Sequence, residues 1–190
     1  MKRTFLVILI VMIFQNAFSQ KIKCVIVTEA GKIKLELFPE KAPLTVANFL
    51  KYVDSELYNR TTFYRVCTPE NEKGRTIKIE VIQGGDVPEE KQFAPVKMET
   101  TKQTGIRHRS GTLSMARDTP DSATSSFFIC IGNQAELDFA GKRNPDGQGF
   151  AAFGHVTKGM KVVRKIQSGE NKGQYLLQPV KIISVKRLQK

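Results

Sequence analysis

The sequence has no tryptophan, two histidines and three cysteines among its 190 residues. Cys24, Cys67 and Cys130 are widely separated and odd in number. They form neither a CxxC pair nor a disulfide framework, so the fold must depend on an apolar core. We expect Cys67 and Cys130 to be buried thiols. His108 and His155 have no carboxylate or cysteine at ligand spacing, which argues against a zinc site.

Several common catalytic and nucleotide-binding motifs are also missing. Ser114 lies in the sequence GTLSM rather than in a GxSxG elbow. Residues 147–149 read GQG but lack the strand-to-helix setting of a dinucleotide-binding loop, and there is no P-loop. The sequence therefore predicts a domain that works without a metal or other cofactor.

Long apolar runs are absent except at the N-terminus. Residues 5–14 are uniformly apolar, with two basic residues before them and Ala17 and Ser19 at small-x-small spacing after them. This layout is typical of a secretory signal, and the run is too short to span a bilayer. A buried N-terminal strand or a membrane anchor is the alternative. We expect a signal peptide over residues 1–19, a mature domain over residues 20–190 without a membrane span, and a periplasmic or secreted location.

The composition is that of an ordinary globular protein, with 41% hydrophobic and 25% charged residues. The length suits one domain. The net charge of +12 is large, but the cations are scattered and accompany no RNA-binding or zinc-finger signature. We expect a solvated basic surface, a monomer and no nucleic-acid partner. Association with an anionic polymer of the cell envelope is a weaker alternative.

Short alternating runs between turn residues predict many strands. The predicted strands cover residues 23–27, 32–38, 61–66, 77–83, 111–117, 126–131, 150–156 and 180–185. Apolar residues at helical spacing predict helices over residues 43–55 and, more briefly, from Met160 to near Ser168. Many strands with two helices favour an all-β sandwich or barrel, and periodicity does not choose between them.

Two of these predicted strands contain polar residues suited to a site. Arg65 lies inside an alternating strand, and Gln83 ends another strand beside a glycine turn, so a cation and an amide can share one sheet face. An Arg in a strand is by itself more often a solvated residue whose alkyl chain covers apolar surface. Together with later segments, this pair resembles the cyclophilin-type peptidyl-prolyl isomerases. The matching segments are, in order, residues 63–66 (FYRV), 83–86 (QGGD), His108, residues 111–116 (GTLSMA), 126–129 (SFFI) and 153–154 (FG).

The resemblance implies a fold and an activity. The fold is a closed eight-stranded antiparallel β-barrel with a helix over each end and an active groove on its outer face. The activity is rotation of X-Pro peptide bonds in proline-containing polypeptides, which here would assist the folding of exported proteins. A catalytically weak module that binds proline-containing segments, as a chaperone or scaffold, is the main alternative.

The resemblance also assigns roles to residues of the groove. Arg65 is the catalytic cation, and Gln83 binds the substrate backbone and holds Arg65 in place. The proline pocket is formed by Val81, Phe128, Leu137 and Phe150, and the approach to it is lined by Ala116 and the backbone of Arg117. Tyr64 is a further substrate-binding residue.

The sequence departs from the family pattern in several places, including Tyr64 and Phe150 where many members have His and Ser126 in place of a Gln. Glu80 and Glu136 stand where the family has a pocket Phe and a pocket Trp, and residues 68–74 form a longer loop than in compact members. In drug-sensitive members, the Trp donates a hydrogen bond to cyclosporin. The substitution therefore predicts weak binding of that drug.

Overall fold

The alternating runs form one antiparallel sheet that closes on itself. The computed structural model describes residues 21–188, so the predicted signal peptide lies outside the described residues. Eight strands make the ring in the order β1-β2-β7-β5-β6-β4-β3-β9, and pairing between β1 and β9 closes it. A ninth strand, β8, forms a short hairpin with β9. The strands are β1 (Ile22–Thr28), β2 (Gly31–Leu37), β3 (Thr62–Cys67), β4 (Val81–Gly84), β5 (Thr112–Met115), β6 (Phe127–Cys130), β7 (Ala152–Lys158), β8 (Asn171–Lys172) and β9 (Tyr175–Arg187).

Both predicted helices are present. Helix α1 (Pro43–Asp54) begins with a proline, and the Glu99 carboxylate accepts the backbone N–H groups of Leu44 and Thr45 at 3.1 and 2.8 Å. Such a partner satisfies donors that a helix start leaves open. Helix α1 packs on β7 and β9, and helix α3 (Met160–Gln167) packs on β2, β3 and β4. A third helix, α2, is a single turn (Thr101–Thr104) that the sequence prediction missed.

The barrel interior is filled by aromatic rings. The Phe49 ring lies 5.1 Å from that of Tyr58, 5.5 Å from that of Phe127 and 5.2 Å from that of Phe153, and all four side chains are fully buried. Tilted and edge-to-face pairs of this kind add roughly 0.5–1.5 kcal/mol each to the gain from burial. This core does not need disulfides. Cys24, Cys67 and Cys130 are all free and buried, which confirms the expectation for the last two.

A second apolar cluster lies on the outer face of the same strands. Side chains alternate between the faces of a strand, so Phe127 and Ile82 belong to the interior core while their neighbours Phe128 and Val81 belong to the outer cluster. The outer cluster consists of Cys67, Ile79, Val81, Phe128, Cys130 and Leu137, with Ala116 and Phe150 against it. The predicted pocket residues are thus brought together outside the barrel.

Two strand predictions have wrong bounds. The strand predicted over residues 77–83 begins only at Val81. The preceding segment bonds elsewhere, since Ile79 N–H donates to the Glu72 carboxylate at 3.2 Å. The last strand, predicted from residue 180, begins at Tyr175 and includes a bulged stretch that alternation does not reveal. Within residues 21–188, no helix is long and apolar enough to cross a bilayer.

Candidate active site

A β-bulge in β3 shapes the groove. The Cα partner of Phe63 on β4 is Gly84, and that of Arg65 is Gln83, so Tyr64 is an extra residue on β3. As a result Phe63 lies in the barrel core while both Tyr64 and Arg65 line the outer groove. Regular alternation would have put only one of these two on that face.

The Arg65 guanidinium is held by two amide oxygens. Its Nη1 donates to Gln83 Oε1 at 2.6 Å, and its Nε and Nη2 donate to Gln174 Oε1 at 2.9 and 2.6 Å. Gln83 Nε2 donates in turn to Tyr64 Oη at 2.6 Å, which turns the Gln83 oxygen towards Arg65. Arginine has five N–H groups. Within residues 21–188, the two that are not used here have no hydrogen-bond partner in the protein.

The groove beside Arg65 has a volume of about 630 Å³ and an apolar floor. Phe128 and Phe150 meet edge to face at 5.3 Å, and Leu137 is fully buried beside them. Every residue to which the resemblance gave a role lines this groove: Tyr64, Arg65, Val81, Gln83, Ala116, Arg117, Phe128, Leu137 and Phe150. The floor is therefore an apolar recess, and the cation is at its edge.

One wall is built from the side chain of Arg117, of which the sequence analysis used only the backbone. The Arg117 side chain is 2% exposed, and its guanidinium donates two hydrogen bonds to Asp146, at 2.7 and 2.8 Å. It also donates to Gly149 O and lies 5.2 Å from the centre of the Phe150 ring. The hydrogen bonds from Arg117 hold the pKa of the Asp146 carboxyl below its usual value. This ion pair fixes the loop that carries Phe150.

Under the floor lies a buried polar chain. His108 Nδ1 is 2.8 Å from Asp138 Oδ1, and His108 Nε2 is 3.0 Å from Ser114 Oγ. The arrangement matches the order of a catalytic triad, but Ser114 and His108 are 0% exposed, so no substrate reaches the hydroxyl. The imidazole instead stacks on the Phe128 ring at 6.0 Å. These residues support the pocket floor.

The structure places neither Glu80 nor Glu136 in the groove. The Glu80 carboxylate points to Gln167 Nε2 of α3, at 3.5 Å, and its neighbour Ile79 lines the groove instead. The Glu136 carboxylate accepts the backbone N–H of Lys142 at 2.8 Å. The rim next to it is occupied by Arg143 and Asn144. Ile79 comes from the long loop before β4. An alignment with the family that does not allow for the extra length of this loop places Glu80 in the groove, where the structure has Ile79.

Sequence reasoning missed four polar residues around Arg65. Gln174 and Tyr175 come from the β8–β9 hairpin, and Tyr175 is 62% exposed and stacks on Tyr64 at 6.5 Å. Glu72 and Arg143 form an ion pair behind Gln174. No local pattern marks these residues, because the contacts that join them to Arg65, to Tyr64 and to one another link positions at least 71 residues apart in the chain. In the part of the chain that the structure describes, no three His, Cys, Asp or Glu side chains are grouped as metal ligands.

A closed antiparallel barrel with a guanidinium beside an apolar recess on its outer face is the arrangement that the family resemblance implied. The comparisons with known proteins agree. Residues 23–187 match the family model described as cyclophilin type peptidyl-prolyl cis-trans isomerase/CLD.

Similar proteins include two bacterial enzymes. The chain is 42% identical over 165 residues to peptidyl-prolyl cis-trans isomerase A of Dickeya dadantii, covering 83% of this chain and 78% of that protein. It is 40% identical over 168 residues to a peptidyl-prolyl cis-trans isomerase of Acinetobacter baylyi, covering 83% and 81%. A crystal structure of a Cryptosporidium parvum cyclophilin matches the fold with a TM-score of 0.72, at 21% identity, over 90% of this chain and 99% of that one.

The chain belongs to the family of cyclophilin-type peptidyl-prolyl cis-trans isomerases. It is a peptidyl-prolyl isomerase, as the sequence analysis predicted, and its bacterial relatives support a bacterial member. The predicted eight-stranded barrel is confirmed, and residues 21–188 contain three α-helices where the sequence predicted two.

Proposed function

We propose that this protein is an exported prolyl isomerase that uses Arg65 to rotate X-Pro bonds and assists the folding of other exported proteins as a monomer. The observation that carries the catalytic part is the Arg65 guanidinium, held by two amide oxygens at the edge of an apolar recess.

The chemistry requires stabilisation of a twisted peptide bond. Resonance between nitrogen and carbonyl gives a rotation barrier of about 18–20 kcal/mol. The cis and trans forms of X-Pro differ by only about 0.5–1 kcal/mol, so catalysis concerns the barrier alone. In the twisted state the nitrogen becomes pyramidal and its lone pair localises. A guanidinium directed at that nitrogen binds the twisted state better than the planar one, and this difference lowers the barrier.

Five groove residues have a stated part in this proposal. The proline ring enters the recess over Phe128, Leu137 and Phe150, which share its apolar character. Gln83 bonds the substrate backbone while its oxygen keeps Arg65 in place. The two N–H groups of Arg65 that have no partner within residues 21–188 are then available to the proline nitrogen.

Export is supported by the N-terminal sequence. A basic start, an apolar run over residues 5–14 and the small residues Ala17 and Ser19 form one processing signal. We propose that removal of residues 1–19 releases the mature enzyme to the periplasm or the medium.

We expect the mature protein to begin at Gln20. Intact-mass and N-terminal peptide spectrometry of protein recovered from the envelope fraction checks this. A chain there that still begins with Met1 would contradict export by this signal, while the assignment of the groove would stand.

A further inference from the structure

The long loop before β4 brings a buried carboxylate up behind the Arg65 guanidinium. Building on the proposed catalytic role of Arg65, we propose that Glu72 and Gln174 are positioning residues, with Glu72 acting on Arg65 through the side-chain amide of Gln174. Gln174 is the neighbour that touches the guanidinium, and Glu72 lies one step further away.

Glu72 is fully occupied by donors. Its side chain is 0% exposed, and its carboxylate accepts bonds from both terminal nitrogens of Arg143, including Nη2 at 2.8 Å. It also accepts the Ile79 backbone N–H at 3.2 Å and the Gln174 amide N–H. Burial alone would raise the pKa of Glu72, but the bonds and charge of Arg143 hold it below its ordinary value. The carboxylate therefore stays ionised behind the groove.

An ionised Glu72 determines which way the Gln174 amide faces. The amide has a donor end and an acceptor end. With Nε2 donating to Glu72, Oε1 faces Arg65 and accepts from Nε at 2.9 Å and from Nη2 at 2.6 Å. The flipped amide would put its oxygen against a carboxylate and its N–H groups against a guanidinium. Both contacts are repulsive, so the charge of Glu72 fixes the orientation that Arg65 requires.

An oriented side-chain amide also binds the other side of the Arg65 guanidinium. Tyr64 Oη accepts the Gln83 amide N–H, and Gln83 Oε1 then accepts from Arg65 Nη1. The Arg65 guanidinium is thus hydrogen-bonded to two side-chain amides, those of Gln83 and Gln174. Each amide is oriented by a further polar group. An error of about 1 Å in such a position can cost on the order of 100-fold in rate.

Glu72 also anchors its own loop through Ile79 and Arg143, so its role must be separated from simple folding of the loop. A double-mutant cycle does this. We expect Gln174→Ala to lower kcat on a short X-Pro peptide by about 10-fold, with KM changed less than about twofold, because the transition state alone is affected. Glu72→Gln should lower kcat similarly in the wild type. In the Gln174→Ala background, Glu72→Gln should lower it no further.

A matched control is available in Gln167. This residue is another half-buried glutamine, and its amide donates to the backbone carbonyl of Cys67 at 2.9 Å. Gln167→Ala makes the same chemical change next to the same strand without touching Arg65. We expect it to leave kcat and KM unchanged.

The Arg65 side chain gives a readout that does not depend on turnover. Its Nε–H signal in a ¹H–¹⁵N spectrum is assigned by its loss in Arg65→Lys. We expect exchange of this proton with water to become faster in Gln174→Ala and Glu72→Gln, and to be unchanged in Gln167→Ala. If the wild type has no turnover, the proposed function fails, and the Nε–H signal still tests the positioning.

Three results would overturn the positioning role. The first is a Gln174→Ala protein with wild-type kcat and an unchanged Nε–H signal. The second is an additive cycle, in which Glu72→Gln lowers kcat equally with or without Gln174. The third result applies if Glu72→Gln does not fold. It is a Gln174→Ala protein with a raised KM and an unchanged kcat.

Discussion

At the scale of single residues, the partners of Arg65 are neutral. Gln83 and Gln174 donate no charge to the site, so the guanidinium is oriented without being neutralised by a carboxylate. The nearby acidic residue, Glu72, does not contact Arg65 directly. It contacts Gln174, and it forms an ion pair with Arg143. A directed cation in a partly enclosed groove interacts more strongly than one in bulk water.

The buried Asp138 makes a prediction about acid stability. Burial favours a higher pKa for this carboxyl, but hydrogen bonds from His108 hold it below its ordinary value. A lowered pKa in the folded state contributes stability that is complete above the unfolded pKa of about 3.9. That stability is lost as the pH falls through the folded pKa. We expect the free energy of unfolding to fall more steeply below about pH 4 in the wild type than in Asp138→Asn.

Denaturant unfolding of both proteins at a series of pH values checks this. Glu72, whose pKa is also lowered, is present in both proteins, so the difference in slope reports Asp138. Parallel curves for the two proteins would contradict the assignment.

At the scale of elements, β3 and β4 must approach closely for Arg65 and Gln83 to meet. A Cβ added to Gly84 would lie 2.7 Å from both the Phe63 ring and the Thr62 carbonyl oxygen. We expect Gly84→Ala to lower the free energy of unfolding by about 1–3 kcal/mol, as overpacked sites do. Turnover should fall as well, because the strand that carries Gln83 is displaced.

Gly74 is the control for this substitution. It lies in the long loop before β4, and a Cβ there would meet nothing within 4 Å. Chemical denaturation and peptide turnover of both alanine variants make the comparison. Equal stability of Gly84→Ala and Gly74→Ala would show that the strands tolerate a side chain at that position.

The rim from residue 136 to residue 144 predicts a weak response to cyclosporin. Arg143 and Asn144 line the groove there, and Glu136 is bonded to the Lys142 backbone. The rim thus offers neither an indole N–H nor its apolar surface. Loss of an aromatic contact and a hydrogen bond amounts to a few kcal/mol, hence an affinity about a hundredfold or more weaker. Inhibition of peptide turnover by cyclosporin measures it, and tight inhibition would contradict this view of the rim.

At the scale of the whole molecule, local signals predicted local elements well. Strands β1 and β2 and helix α1 were predicted because turn residues, alternation and apolar helical spacing are all local signals. The segment over residues 77–80 was wrongly predicted as strand, since Ile77 and Ile79 alternate equally well in a packed loop whose bonds go to Glu72 and Arg143. Closure of the barrel through β1 and β9 joins the two ends of the domain, and no periodicity reveals it.

The candidate site also contains residues that local sequence signals predicted and residues that they did not. The pairing of Arg65 with Gln83 could be expected because both lie in recognisable strands and in segments that resemble the family. Gln174 and Glu72 could not, since their contacts depend on two loops that meet only in the folded barrel. The bulge at Tyr64 also escaped prediction, because an extra residue shifts the alternation by one position and β3 ends at Cys67, too soon for the shift to form a readable pattern.

The central claim is that Arg65 acts on the twisted peptide bond rather than on substrate binding, and exchange NMR of a short X-Pro peptide tests it most directly. The wild type should speed cis–trans interconversion, and Arg65→Ala should slow the catalysed rate by about 10²–10³, with the peptide Kd and the Tm nearly unchanged. Arg65→Lys should also be impaired, because a point charge does not reproduce the guanidinium fork. Wild-type interconversion in Arg65→Ala would contradict the claim, and a wild type that binds the peptide without speeding its interconversion would favour a binding module instead.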